Sequence, residues 1–348
     1  MHEQNSVDEG RRRILGAVAL GVAIAPLGVA GMAPQTPATT ARAIKPTDAA
    51  AFASLKRIRA GDLEIAYVEV GPKKGKPVVL LHGWPYDIHS FVEVAPQLAS
   101  RGYRVFVPHL RGYGETRFLS PETPRNGQPA ALARDVIAFL DALGIEKTML
   151  GGFDWGARTA GIVSAIWPER VLSLVSVSGY LIGSRKTAQV PLPPESEFQW
   201  WYQFYFATER GRAGYEKYRH DFAKLIWKLA SPKWAFDDAT FDRSARSFDN
   251  PDHVDIVVHN YRWRLGLADG EPRFDDIEAR LSEAPFVTVP TITMEGDANG
   301  APHPPPESYA KRFTGKYEHR QLTGGIGHNL PQEAPDAFVK AIVDSIRV

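Results

Sequence analysis

Thr148-Met149-Leu150-Gly151-Gly152-Phe153-Asp154-Trp155-Gly156 is the stretch on which the reading of this chain turns. An apolar run of strand length ends at Gly152, and a helical pattern begins at Gly156. Asp154 is therefore predicted to sit on a sharp strand-to-helix turn with its side chain presented outward. Turns of this kind usually carry Ser at their centre. A carboxylate there cannot form an acyl-enzyme as Ser does, but it can attack an sp³ carbon and form an alkyl ester. That chemistry restricts substrates to epoxides, alkyl halides and similar electrophiles. The plainer reading, an Asp that merely caps the helix, applies to any Asp ahead of a helix and has to be weighed against the remaining motifs.

Outward from the turn, runs rich in β-branched and aromatic residues at 63–70, 78–82, 103–108, 148–152, 171–177, 288–295 and 317–322 alternate with helical patterns at 91–101, 131–143, 156–167, 307–313 and 335–346. This alternation predicts an α/β fold, a mostly parallel sheet flanked by helices. Between 183 and 284 strand runs cease and aromatics gather in Phe198-Gln199-Trp200-Trp201-Tyr202-Gln203-Phe204-Tyr205-Phe206. Residues 183–284 are expected to form an inserted helical lid, leaving 44–182 and 285–348 as the core.

Residues 1–43 stand apart. A polar start leads into Arg11-Arg12-Arg13-Ile14-Leu15, then a Gly/Ala-rich apolar run, then a Pro/Thr/Ala-rich tract ending Ala41-Arg42-Ala43. The pattern is that of a twin-arginine export signal, so a periplasmic or secreted mature protein is expected. The apolar run is just long enough to span a bilayer, but Pro26 and its many small residues weaken the reading as a retained anchor. Residues 1–43 hold four arginines against three acids, and without them basic and acidic side chains are equal in number. That balance gives no reason to expect nucleic acid or anionic membrane as a partner. No stable membrane insertion is expected after signal removal. The 348 residues include no Cys, which excludes disulfides, thiolate metal sites and a Cys nucleophile.

His328 lies in Gly324-Gly325-Ile326-Gly327-His328-Asn329, beyond the last strand pattern and ahead of the C-terminal helix. That position makes it the base expected to activate water against an ester on Asp154. His82-Gly83-Trp84-Pro85 follows the second strand pattern, and Arg111-Gly112-Tyr113-Gly114 follows the third. With Phe153-Asp154-Trp155-Gly156 and Gly327-His328, these motifs cover nearly the whole mature chain in an order and spacing that resembles the α/β-hydrolase fold epoxide hydrolases. The resemblance implies an oxyanion hole made by the backbone N–H groups of Trp84 and Trp155. It also implies two ring-opening acids in the lid, Tyr202 in Tyr202-Gln203-Phe204-Tyr205-Phe206 and Tyr261 in Asn260-Tyr261-Arg262-Trp263. Opening an epoxide generates an alkoxide, to which a phenol can donate a proton. No metal or organic cofactor is expected.

The same motifs resemble the haloalkane dehalogenases, whose leaving halide needs a clamp of N–H donors and no proton. A haloalkane or haloacid dehalogenase is thus the alternative, and a non-catalytic ligand-binding member of the fold is a third reading. The aromatic segment is expected to line an apolar pocket for a small epoxide or halide, with Phe198, Trp201 and Phe204 as substrate contacts. Two positions depart from the family. Asn299 stands where the acid orienting His328 is expected, so Asp297 in Glu295-Gly296-Asp297-Ala298-Asn299 is the first choice for that role. Asn299 itself is the second choice, with loss of turnover or deamidation of Asn299-Gly300 to Asp as further possibilities. His109 replaces a common Asp and carries no functional expectation.

Overall fold

Four consecutive apolar residues, Val78-Val79-Leu80-Leu81, are all solvent-inaccessible, as suits a strand covered on both faces. They belong to β3 of a mixed sheet. The computed structural model describes residues 39–40 and 52–348. Its strands of five residues or more are β1 (Lys56–Ala60), β2 (Leu63–Val70), β3 (Lys76–Leu81), β4 (Tyr103–Pro108), β5 (Thr148–Gly152), β6 (Val171–Val177), β7 (Thr291–Gly296) and β8 (Tyr317–Leu322). They lie in the order β8-β7-β6-β5-β3-β4-β2-β1. All pairings from β4 to β8 are parallel, whereas β1–β2 and β2–β4 are antiparallel. The expected α/β architecture is the observed one.

Five of the seven expected strands have the expected ends. Strand β1 was not expected because Lys-Arg-Ile-Arg-Ala has no apolar run; as an edge strand paired only with β2, it needs none. β7 starts at Thr291, just past Pro290, whose ring removes a ladder donor. Helices Pro129–Ala142 and Trp155–Ile166 pack on each other, and Val94–Ser100 packs on Pro335–Ser345. The helix expected at 307–313 is a four-residue α-helix, Pro306–Tyr309, followed by a 3-10 turn.

Between β6 and β7 the chain is helical, from Arg185–Ala188 to Asp275–Ser282, broken by the two-residue strand Trp234–Ala235. That strand pairs in parallel with Thr39–Thr40. Apart from these two threonines, the expected export signal at 1–43 lies outside the described residues.

Candidate active site

Strand β5 ends at Gly152 and a helix starts at Trp155, leaving Asp154 between them with φ 52° and ψ −124°. Positive φ in a residue with a Cβ is strained, at a cost of about 1–3 kcal/mol, and persists only where the surroundings enforce it. Two glycines allow it here. A Cβ on Gly156 would lie 1.9 Å from the Leu81 carbonyl oxygen, and one on Gly83 would lie 2.4 Å from the Asp154 Cβ. The helix start is thus pressed against the end of β3, and the loop after β3 against the aspartate.

The Trp84 N–H donates to Asp154 Oδ1 at 2.7 Å, and His328 Nε2 lies 3.6 Å from Oδ2. Burial alone would raise the Asp154 pKa. The His328 ring and the Trp84 and Trp155 N–H groups outweigh it and hold the carboxyl below its ordinary range. Asp154 is therefore an anion at neutral pH, with two N–H groups already aimed at its carboxyl.

On the far side of His328, Nδ1 meets Asn299 Oδ1 at 3.2 Å. The expected first choice, Asp297, does not reach the imidazole. Its carboxylate accepts from the backbone N–H groups of Gly324, Gly325 and Ile326 at 2.8–3.0 Å and so fastens the glycine turn that leads to His328. Burial opposes ionisation of Asp297, but these three donors hold its pKa down. The carboxylate nearest the pair is Glu295, buried at the end of β7, whose Oε1 accepts from Asn299 Nδ2 at 2.8 Å. Ser178 Oγ accepts from the same Nδ2 at 3.2 Å. With Nδ2 spent on these acceptors and Oδ1 also accepting from the Ala301 N–H at 2.9 Å, the amide can only present its oxygen to His328 Nδ1. The His328 backbone N–H donates to Ser231 Oγ at 2.9 Å, which ties the loop to the insert.

Tyr202 on helix Trp201–Phe206 and Tyr261 on helix His253–Arg264 meet edge to face, with ring centroids 5.3 Å apart. Both rings pack on Trp84, at 5.0 and 5.2 Å. The indole of Trp84 is pinned from behind: its Nε1–H donates to Tyr215 Oη at 2.9 Å, the Tyr215 hydroxyl donates to His253 Nε2 at 2.8 Å, and His253 Nδ1–H donates to the Gly112 carbonyl at 2.9 Å. Burial, together with the charge on Asp154, pushes both Tyr202 and Tyr261 above the ordinary phenol value. Both phenols keep their protons at neutral pH.

Asp154, Trp84, Tyr202, Tyr261 and His328 line one cavity of about 890 Å³. Of the three expected substrate contacts, Phe204 lines it. Phe198 does not: it is 78% exposed on helix Pro194–Gln199. Trp201 also points away, packing on Phe222 and Tyr205. Helical periodicity separates Trp201 from Tyr202 by about 100°, and Trp201 falls on the side of the helix that meets Phe222. Trp200 takes the place, joined by Arg158 and Arg264, none of them expected from the sequence. For Arg158 a signal existed, since it lies four residues after Asp154 and so on the same helix face. Among the described residues, no three His, Asp or Glu side chains converge as a metal would require.

The α/β hydrolase fold family matches residues 76–215. The crystal structure of a candidate epoxide hydrolase from Klebsiella pneumoniae subsp. pneumoniae is similar at a TM-score of 0.86 and 63% identity, over 86% of this chain and 100% of that one. Mouse epoxide hydrolase 4 is 34% identical over 282 residues, 80% of this chain and 75% of its own. Epoxide hydrolase 3 of Siraitia grosvenorii is 40% identical over 116 residues. The match spans 35% of that relative, and the next curated relatives are likewise spanned over about a third to two-fifths of their length. The chain belongs to the epoxide hydrolase family of the α/β-hydrolase fold.

Proposed function

We propose that this protein hydrolyses an epoxide to a vicinal diol through an alkyl ester on Asp154. The observation that carries the reading is an ionised carboxylate on a strained turn, 2.7 Å from the Trp84 N–H and 3.6 Å from an imidazole, in one cavity with two protonated phenols. In the first step an Asp154 oxygen attacks an oxirane carbon, the C–O bond breaks, and Tyr202 or Tyr261 gives its proton to the departing oxygen. Forming the ester removes the Asp154 charge, and with it one of the causes that raise the phenol pKa values.

In the second step His328 Nε2 takes a proton from water, and the hydroxide attacks the ester carbonyl carbon. The Trp84 and Trp155 N–H groups, which hold the carboxylate at rest, receive the oxyanion. Collapse releases the diol, and the proton held by His328 makes good the one lost by the phenol. Glu295 acts here as a positioning residue. It locks the Asn299 amide so that Oδ1 receives Nδ1–H, and it leaves one negative charge an amide's length from the transient imidazolium. In this account the helices between β6 and β7 serve as a lid.

In the dehalogenase alternative the Trp84 Nε1–H cannot clamp a halide, being committed to Tyr215. The test is a paired assay of the wild type and Asp154→Ala on aryl and alkyl epoxides and matched haloalkanes. Diol that vanishes in the variant, by on the order of 10⁴-fold or more, is the expected result; halide release without diol overturns it. His328→Gln should accumulate the Asp154 ester, visible by intact mass. On the basis of Arg11-Arg12-Arg13 and the run behind them, we further propose twin-arginine export to the periplasm or beyond, checked by cytoplasmic retention when Arg11, Arg12 and Arg13 are replaced by Lys.

A further inference from the structure

Arg158 sits one helical turn past Asp154, lines the same cavity and is only 8% exposed. Its Nε and Nη2 are buried without a hydrogen-bond partner. Arg264, at the end of helix His253–Arg264, lines the cavity as well, and neither guanidinium forms an ion pair among the described residues. Rings flank them instead: the Arg158 Cζ lies 5.5 Å from the Trp155 ring centroid, and the Arg264 Cζ 5.1 Å from that of Trp200 and 5.9 Å from that of Tyr261. Glu278 acts on Arg158 only at a distance, its Oε1 accepting from the Ala130 N–H at 3.0 Å and Gln128 Nε2 at 3.1 Å. Burial, and then the charge of Arg264, pushes the Arg158 guanidinium down to about 10.

Asp154 is the one anion of the cavity whose charge favours the Arg158 cation, but it is held by the Trp84 N–H and faces His328, so two cations, one with buried and unused N–H donors, remain under-compensated until a second anion arrives. The guanidinium fork matches a carboxylate, which can take two parallel N–H donors. We propose that Arg158, with Arg264 beside it, forms an anion-binding subsite, and that the substrate is an epoxide carrying a carboxylate. The rise of about 6 Å over the four residues from Asp154 to Arg158 favours a compact molecule with the carboxylate a few bonds from the oxirane. This inference rests on the epoxide-hydrolysing reading above.

The probes are 3-phenyloxirane-2-carboxylate, its uncharged carboxamide, and cinnamate, which has the carboxylate but no oxirane. The wild type should prefer the carboxylate over the carboxamide by on the order of 10–100-fold in kcat/KM, mainly through KM. It should also bind cinnamate in calorimetry. Arg158→Met and Arg264→Met should each bring the preference towards unity and weaken cinnamate binding, and Arg158→Lys should fall between. If Arg158→Met does not fold, Arg264→Met and wild-type cinnamate binding decide. Carboxamide hydrolysis with no carboxylate preference overturns the subsite and leaves the hydrolase reading standing. Equal losses on both substrates also overturn it, since they assign the arginines to acidifying the phenols alone. Cinnamate binding lost in Arg158→Met, with no diol from either epoxide, keeps the subsite but removes the reaction. No diol and no cinnamate binding removes both.

Discussion

The wall of the cavity built by the core and the wall built by the insert hold their groups by different means. Asp154, Trp84 and His328 sit just past the ends of β5, β3 and β8, on turns whose conformation is set by backbone hydrogen bonds and by glycines with no room for a Cβ. Tyr202, Tyr261 and Arg264 sit on helices placed by side-chain packing, aromatic rings against aromatic rings. The core wall fixes the Asp154 carboxylate and its N–H donors through backbone that cannot shift without breaking the sheet. The insert wall reaches the same point through residues far apart in sequence, and its composition can change without touching the sheet. The groups proposed to make and break the ester lie on the first wall, and those proposed to meet the epoxide oxygen and the substrate's charge lie mostly on the second.

The largest effect is expected from breaking the core wall. Gly156→Ala puts a Cβ 1.9 Å from the Leu81 carbonyl oxygen, which no small shift relieves. It should destabilise the protein by roughly 3 kcal/mol or more, seen as a lower denaturation midpoint, and abolish diol formation even in the fraction that folds. On the insert wall, Tyr261→Phe and Tyr202→Phe should each leave the fold intact. Each should slow epoxide opening by on the order of 10²–10³-fold, and single-turnover kinetics should locate the loss in ester formation. If the loss falls in ester hydrolysis instead, the division of labour between the two walls is wrong.

A smaller effect is expected behind His328. A unit charge roughly 7 Å away at an effective dielectric near 20 is worth about 2 kcal/mol. Glu295→Gln should therefore slow ester hydrolysis by some tens-fold, leave ester formation unchanged and move the acidic limb of the kcat profile to lower pH. A merely structural role would leave that limb in place. Adding Asn299→Asp to Glu295→Gln returns a carboxylate to the imidazole and should restore the rate.

At neutral pH the smallest effect on the reaction comes from the buried histidines that fasten the two walls, which act on stability as the pH falls. Burial lowers His109 and His253 from 6.5 to about 3. Both are neutral when folded and take up protons on unfolding, so their contribution is fully present above pH 6.5 and falls as pH drops towards 3. Each contributes a slope of up to about 1.4 kcal/mol per pH unit within that window. Urea midpoints measured between pH 7 and 4 should fall with acidity, and less steeply in His253→Gln.

How much of this was legible in the sequence follows the same division. Asp154 and the strands around it could be read directly, because a buried parallel strand needs an apolar run and a tight turn needs its glycines at fixed offsets. Edge strand β1 could not, because one-sided pairing imposes no such pattern. The sequence leaves the partner of His328 open between Asp297 and Asn299 for a related reason. Asp297 and Asn299 are two residues apart in a loop, and only the packed turn at Gly324–Gly325–Ile326 claims the acid for backbone donors and leaves the amide to the imidazole.

Spacing along the chain determined the turn that carries Asp154, the sheet and the helical character of the insert, since each depends on local backbone geometry that neighbouring residues dictate. The tertiary structure alone decided that Glu295 stands behind Asn299, that Trp200 rather than Trp201 or Phe198 faces the cavity, and that Arg158 and Arg264 share the cavity of Asp154 without forming an ion pair among the described residues. Those facts depend on which distant side chains are brought within a few ångströms, and no local pattern encodes that.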